Sequence, residues 1–158
     1  MSQTAEVAVP GSATGKTVSG TYLTFQVGNE EYGVEILSVR EIIGMLPITP
    51  MPGSPGVMLG VINLRGKVIS VISMRARFGM PLVEAHPHNV ILVVEGGPKG
   101  LIGLAVDRVK EVAAFAAKDT EPPPSYGLNI DASMVQALGK NQGRIRILLA
   151  LPKVLEAI

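Results

Sequence analysis

Apolar and polar positions alternate with a period of two from Thr21 onward. Leu23, Phe25 and Val27 alternate with Tyr22, Thr24 and Gln26, the pattern of a half-buried β-strand. After a turn at Gly28-Asn29-Glu30-Glu31, the run Tyr32-Gly33-Val34-Glu35-Ile36 alternates again and predicts a second strand paired with the first. From Leu37 to Ile43, strict alternation places Leu37, Val39, Glu41 and Ile43 on one face and Ser38, Arg40 and Ile42 on the other. A carboxylate among three aliphatics is either a rim position on an exposed apolar patch or the partner of a nearby cation. Pro47, Pro50, Pro52 and Pro55 then enforce a stiff loop.

The stretch from Gly60 to Arg75 predicts a hairpin, with two runs rich in β-branched residues flanking Arg65-Gly66-Lys67. Gly66 can take the positive φ of a tight reversal, which puts Arg65 at the tip or shoulder of the turn. A tip arginine either keeps the turn soluble or displays a charge for recognition. Ala76 to Met80 is expected to form one turn of helix, and Pro81 to His88 a polar connection between two halves.

A second hairpin follows, from Asn89-Val90-Ile91-Leu92-Val93-Val94-Glu95 through Gly96-Gly97-Pro98-Lys99-Gly100 to Leu101–Asp107. Val109, Glu111 and Ala113 alternate with Arg108, Lys110 and Val112, as an extension or a restart of that strand. Asp131 to Leu138 reads as a short helix with an aspartate N-cap, Ile145–Leu151 as a last strand, and Pro152 as the opening of a terminal helix. The total is about eight to ten short strands punctuated by Gly and Pro, which points to small barrels or a sandwich. Residues 1–20, small, polar and without period, are expected to be a disordered tail.

Composition narrows the possible chemistry. Of 158 residues, 47% are hydrophobic but only 4% aromatic, so the core is built from aliphatic residues. The 14 basic and 13 acidic residues leave no net field to attract nucleic acid or anionic membrane. There is no cysteine, and no run approaches the roughly 18 consecutive apolar residues of a membrane span, so a soluble cytoplasmic protein is expected. His86 and His88 sit in a Pro-containing connection without an obvious third metal ligand or a nucleophile to activate, so neither a metal site nor a catalytic residue is assigned. The glycines of residues 96–100 lack the Gly-Lys-Ser/Thr ending of a phosphate loop and read as a turn. A small barrel that binds nucleic acid is the alternative, but it needs aromatic stacking platforms that three Tyr, three Phe and no Trp supply poorly.

Six short motifs occur in register: Tyr22-Leu23-Thr24-Phe25, Glu30-Glu31-Tyr32-Gly33-Val34, Val39-Arg40-Glu41-Ile42, Gly60-Val61-Ile62-Asn63-Leu64-Arg65-Gly66, Arg75-Ala76-Arg77-Phe78-Gly79 and Val106-Asp107. With Pro122-Pro123-Pro124 and Leu138-Gly139-Lys140, the chain from about residue 21 to its end resembles the chemotaxis coupling proteins of the CheW family. The resemblance implies two five-stranded SH3-like β-barrels around a hydrophobic seam, divided near residues 21–82 and 83–158 with possible exchange of elements. It implies a free-standing, non-catalytic adaptor without cofactors. Its expected partners are the cytoplasmic tips of chemoreceptors, the regulatory domain of the histidine kinase CheA, and other CheW-like proteins in rings, in arrays at the inner face of the membrane.

Carried over position by position, the resemblance implies receptor contacts at Val39, Glu41, Arg65, Val90, Val109 and Val112, and a kinase-facing position at Gly60. Glu41 and Arg65 are expected to pair with each other. The chain departs from the family at Pro50, Ser70 and Ser73, where Arg, Pro and Asp are common, and at Ala150, where Asp is common.

Overall fold

A computed structural model describes residues 18–124, 127–128 and 130–158; the tail expected over residues 1–20 falls outside it up to residue 17. The described strands are β1 (Gly20–Val27), β2 (Glu30–Glu35), β3 (Val39–Gly44), β4 (Met58–Leu64), β5 (Lys67–Ser73), β6 (Val90–Glu95), β7 (Leu101–Val106), β8 (Arg108–Phe115), β9 (Thr120–Glu121), β10 (Val135–Asn141) and β11 (Arg144–Leu149). Two short helices, α1 (Met74–Arg77) and α2 (Leu151–Val154), complete the framework. At its start, the Val18 amide donates to Thr120 Oγ1 at 2.9 Å.

The strands form two sheets, ordered β8-β1-β2-β11-β10-β9 and β3-β6-β7-β5-β4. The architecture is mainly β with two SH3-like subdomains and a short C-terminal helix, as the sequence led one to expect; the sixth strand of the larger sheet is the two-residue β9. Sheet membership does not follow a division at residue 82. The β1–β2 hairpin belongs with β8–β11, where β8 pairs with β1 antiparallel and β11 with β2 in parallel. In the other sheet, β7 pairs with β5 in parallel and with β6 antiparallel. Two strands alone cannot satisfy their outer backbone groups or bury a face, so the N-terminal hairpin takes partners from the far end of the chain. Local alternation carries no information about such pairing.

Each subdomain has its own interior. Ile62, Ile69, Val71, Ile91 and Val93 fill the five-stranded one. Tyr22, Ala113, Phe115 and Leu148 fill the six-stranded one, where Tyr22 meets Phe115 edge-on at 5.9 Å. The largest apolar cluster lies between the two: Leu23, Phe25, Val27, Tyr32 and Val34 face Ile72, Leu92, Val94, Ile102, Leu104 and Val106. Tyr32 stacks on Phe25 at 6.0 Å and on Phe78 at 4.6 Å. Burial, reinforced by the charge of Glu30, raises the Tyr32 hydroxyl pKa to about 12. Phe25, Tyr22 and Tyr32 are therefore core residues and offer no stacking platform to nucleic acid.

The five-stranded sheet closes on itself. After β3 the chain crosses to β4, where Thr49 and Val61 exchange two backbone hydrogen bonds of 2.9 Å. Gly60 makes this approach possible: its φ is 146°, and a Cβ there would lie 2.2 Å from the Thr49 carbonyl oxygen. Two hairpins turn through residue pairs that are both left-handed, Arg65-Gly66 (φ 52° and 86°) and Gln142-Gly143 (φ 54° and 76°), the geometry of a type I′ reversal. Arg65, and not Gly66 alone, takes positive φ. The Gly66 amide donates to Asn63 Oδ1 at 2.8 Å and braces the turn.

Two helical expectations are shortened. The segment after Asp131 makes only one 3-10 turn, Ala132–Met134, capped as expected by the Asp131 carboxylate accepting from Ser133 N at 2.9 Å. From Val135 it is β10, because alternation there buries Val135, Ala137 and Gly139. At Gly139 a Cβ would come within 2.7 Å of the Phe115 ring. The helix expected at Ala76–Met80 starts earlier, at Met74, because Ser73 caps it by accepting from Ala76 N at 3.1 Å.

The chain crosses between the sheets twice, through Ile36–Ser38 between β2 and β3 and, between β7 and β8, through a single residue, Asp107. Its carboxylate accepts from Arg75 Nε at 3.0 Å, Arg75 Nη2 at 2.6 Å and the Gly28 amide at 2.8 Å. Its own amide donates to Gln26 O at 3.0 Å, and its carbonyl accepts from Asn89 Nδ2 at 3.0 Å. One residue thus ties α1, the β1–β2 turn and the entry to β6.

Three outcomes are expected in denaturant titrations. Asp107→Asn, which loses a charge-assisted pair at the crossover, lowers unfolding stability by about 1.5–3 kcal/mol. Ser73→Ala costs about 0.5–2 kcal/mol through the lost cap. Ala150 occupies the N-cap of α2 in extended geometry with no side-chain cap; Ala150→Asp raises stability by about 0.5–1 kcal/mol.

Candidate functional site

The charged part of the site is built by closure of the five-stranded sheet. Its edge strands β3 and β4 supply Glu41 and, at the adjoining turn, Arg65. Arg65 Nη1 donates to Glu41 Oε2 at 2.9 Å and Nη2 to Oε1 at 2.5 Å, a bidentate fork. The pairing expected from the sequence is therefore present. The Arg65 side chain remains 70% exposed and that of Glu41 31%. Hydrogen bonding from Arg65, aided by its charge and opposed by some desolvation, holds the Glu41 carboxyl below its ordinary range and raises the guanidinium.

Bulges decide which way the neighbouring valines face. In β3 the register with β6 shifts between Val39 and Glu41: Val39 lies opposite Val94 and Glu41 opposite Val93, leaving Arg40 as the extra residue. Val94 belongs to the seam and Val93 to the subdomain interior. Val39 consequently packs against the seam cluster, while Glu41 shares the Val93 side; strict alternation had placed both on one face. The extra Arg40 turns outward, 2.7 Å from Glu95.

The same device acts in β8. Glu111 lies opposite Thr24 and Val109 opposite Phe25, so Lys110 is the extra residue. Val112 lies opposite Leu23. Phe25 and Leu23 both face the seam, so Val109 and Val112, three residues apart, come to one side, which uninterrupted alternation forbids. Val109 packs against the edge of the seam together with Val90, and the two line one open groove. Val112 is 57% exposed.

The site residues thus form two groups and a link. Glu41 and Arg65 are in direct contact; Val90 and Val109 share the groove, with Val112 beside them. Val39 is at the far end of β6, opposite Val94, and Val90 is four residues away along that strand, roughly 13 Å. Gly60 is buried under Thr49 and Pro50, so its conformation and lack of a side chain serve packing within the chain. Ser70 lies in β5 between Val61 and Ile102, while Ser73 and Ala150 stand at helix starts.

Sequence reasoning passed over a second charged cluster. The fully buried Arg146 donates from Nε to Glu31 at 2.9 Å and from Nη2 to Glu111 at 2.5 Å, and Arg144 also reaches Glu111 at 2.9 Å. Desolvation pushes the Glu31 carboxyl up, but the Arg146 hydrogen bond and the charges of Arg144, Arg146 and Lys110 bring it below its ordinary value. Arg144 and Arg146 alternate with apolar Ile145 and Ile147, the one local hint of an inward-facing polar row. Their partners on β2 and β8 are distant in sequence. Among the described residues, no cluster of three or more His, Asp or Glu side chains could hold a metal ion.

Comparison with known proteins agrees with this architecture. The model of the CheW-like domain matches residues 21–158. The chemotaxis protein CheW of Rhizobium meliloti is 36% identical over 132 residues, covering 84% of each chain. That of Klebsiella aerogenes is 33% identical over 143 residues, covering 90% of this chain and 86% of the relative. The crystal structure of the scaffolding protein TtCheW from Thermoanaerobacter tengcongensis superposes with a TM-score of 0.80 at 32% identity, covering 88% of this chain and 94% of that one. With matching motifs, matching fold and a family model spanning nearly all of its length, the chain belongs to the CheW family of chemotaxis proteins.

Proposed function

We propose that this protein is a non-catalytic adaptor that couples chemoreceptor cytoplasmic tips to the regulatory domain of CheA, and that Val39, Glu41, Arg65, Val90, Val109 and Val112 form its receptor-facing surface. The observation that carries this reading is the combination of an exposed bidentate Glu41–Arg65 pair with valines that two bulges turn toward the rim of the seam. Apolar side chains at an open edge accept the apolar stripe of a helix, and an oriented charge pair beside them selects which helix. The roughly 13 Å from Val39 to Val90 corresponds to about nine residues of α-helix, a span that one helix on the rim of the seam covers.

Family membership supports kinase coupling, and Gly60 would bear on the kinase-facing surface by shaping β4 and its neighbours. Association with other CheW-like proteins in rings, at arrays on the inner face of the membrane, extends the same reading. No helix among the described residues is long and apolar enough to cross a membrane, so recruitment to receptors through protein contacts is the route proposed. A nucleic-acid role is disfavoured by the burial of Tyr22, Phe25, Tyr32, Phe78 and Phe115.

The test is a binding titration of the purified protein against soluble receptor-tip fragments and CheA regulatory domains encoded by the same genome. Arg65→Glu places two carboxylates side by side and is expected to weaken receptor binding roughly tenfold or more while sparing the kinase domain. Unchanged receptor affinity in that variant overturns the site. Absence of binding by the unmodified protein to both partner classes overturns the adaptor reading.

A further inference from the structure

The groove shared by Val90 and Val109 carries a one-sided charge. It is open, with a volume of about 580 Å3, and is lined by Pro87, His88, Val90, Arg108, Val109 and Lys110. Every ionisable side chain on its wall is basic. Elsewhere arginine is matched: Arg40, Arg65, Arg75, Arg144 and Arg146 each lie within salt-bridge distance of a carboxylate, and Arg77 donates to the carbonyls of Val154 and Lys153. Among the described residues, Arg108 alone of the arginines has neither a carboxylate nor a side-chain hydrogen-bond partner.

Lys110 is likewise without a salt bridge among the described residues, and the acid that feels its charge, Glu31, is already bonded to Arg146. The imidazole of His88 registers the excess: the charge of Arg108, with some desolvation and the charge of His86, lowers its pKa. A lysine on an edge strand guards against strand-on-strand association, which accounts for Lys110. That explanation does not reach Arg108, which is half-buried in the groove wall beside Val109.

We infer that Arg108 and Lys110, flanking Val109, are specificity determinants for a partner helix that carries carboxylates beside its apolar stripe. This rests on the receptor-binding reading above and adds the chemistry of the helix to it. The bulge that turns Val109 toward Val90 makes Lys110 the extra residue of β8, so one irregularity supplies both the apolar contact and its cationic flank. A carboxylate on the helix gives Arg108 the planar partner that it lacks among the described residues. Helices with lysine or arginine at those positions meet like charge and are rejected.

The experiment measures affinity for the same soluble receptor-tip fragments at low and at raised salt, using the unmodified protein, Arg108→Glu/Lys110→Glu, Lys110→Glu alone and Arg65→Glu. The double variant is expected to bind about tenfold or more weakly, to lose the salt sensitivity of the parent, and to keep its affinity for the CheA regulatory domain. A receptor fragment whose flanking carboxylates are replaced by lysine is expected to restore binding to the double variant.

Where the double variant does not fold by circular dichroism, Lys110→Glu, exposed on β8, carries the test, with an expected loss of about threefold. Parent-like affinity and salt dependence in the charge-reversed protein overturn the inference, and Arg65→Glu losing binding in the same assay shows that the receptor reading still stands. Binding of no receptor fragment by the parent overturns both.

Discussion

The fold depends on one apolar seam. Leu23, Phe25, Val27, Tyr32 and Val34 of the N-terminal hairpin must be covered, and the surface that covers them is the outer face of the other sheet, not the interior of their own. A sheet of small subdomain size has two faces to bury and too few residues to bury both alone. Packing the subdomains back to back resolves this, and the second of the chain's two crossings between sheets falls at Asp107, where a carboxylate collects Arg75 and the Gly28 amide. At this junction, polar satisfaction and apolar burial support each other: the ion pair is only partly exposed and bridges elements that the seam already holds close.

The site is a by-product of that arrangement. The two sheets meet along the seam, and where its rim is open the half-buried Val39, Val90 and Val109 are left with apolar surface available to a partner. The orientation of Val39 and Val109 is set by single-residue bulges in β3 and β8, each at a basic residue, Arg40 and Lys110. A bulge frees one residue from the ladder and re-aims the side chains beyond it. Here the freed residues are the cations that flank the valines, so apolar and charged features arise from one backbone irregularity. The Glu41–Arg65 fork depends instead on closure of the five-stranded sheet, which Gly60 permits by letting the Thr49 backbone cross it closely.

The departures from the family pattern at Ser73 and Ala150 have local consequences. Ser73 is buried and caps α1, so that position carries its own hydrogen bond. Ala150 begins α2 without a side-chain acceptor, and the helix relies on its proline and on burial of Leu151 and Val154. Nothing in the structure explains why Ser70 stands where it does.

Much was legible locally. Alternation located the strands that flank Arg65-Gly66, the apolar runs that became β6 and β7, and the proline loop, because strand period and turn chemistry are properties of adjacent residues. Ordered motifs identified the family and, through it, the Glu41–Arg65 pair. Three things were decided only in three dimensions: which strands share a sheet, which way Val39, Val109 and Val112 face, and that Arg146 is buried between Glu31 and Glu111 while Arg108 meets no carboxylate among the described residues. Each depends on partners tens of residues distant. A parallel pairing such as β2 with β11, or a bulge set by the opposing strand, leaves no trace in the period of either strand alone.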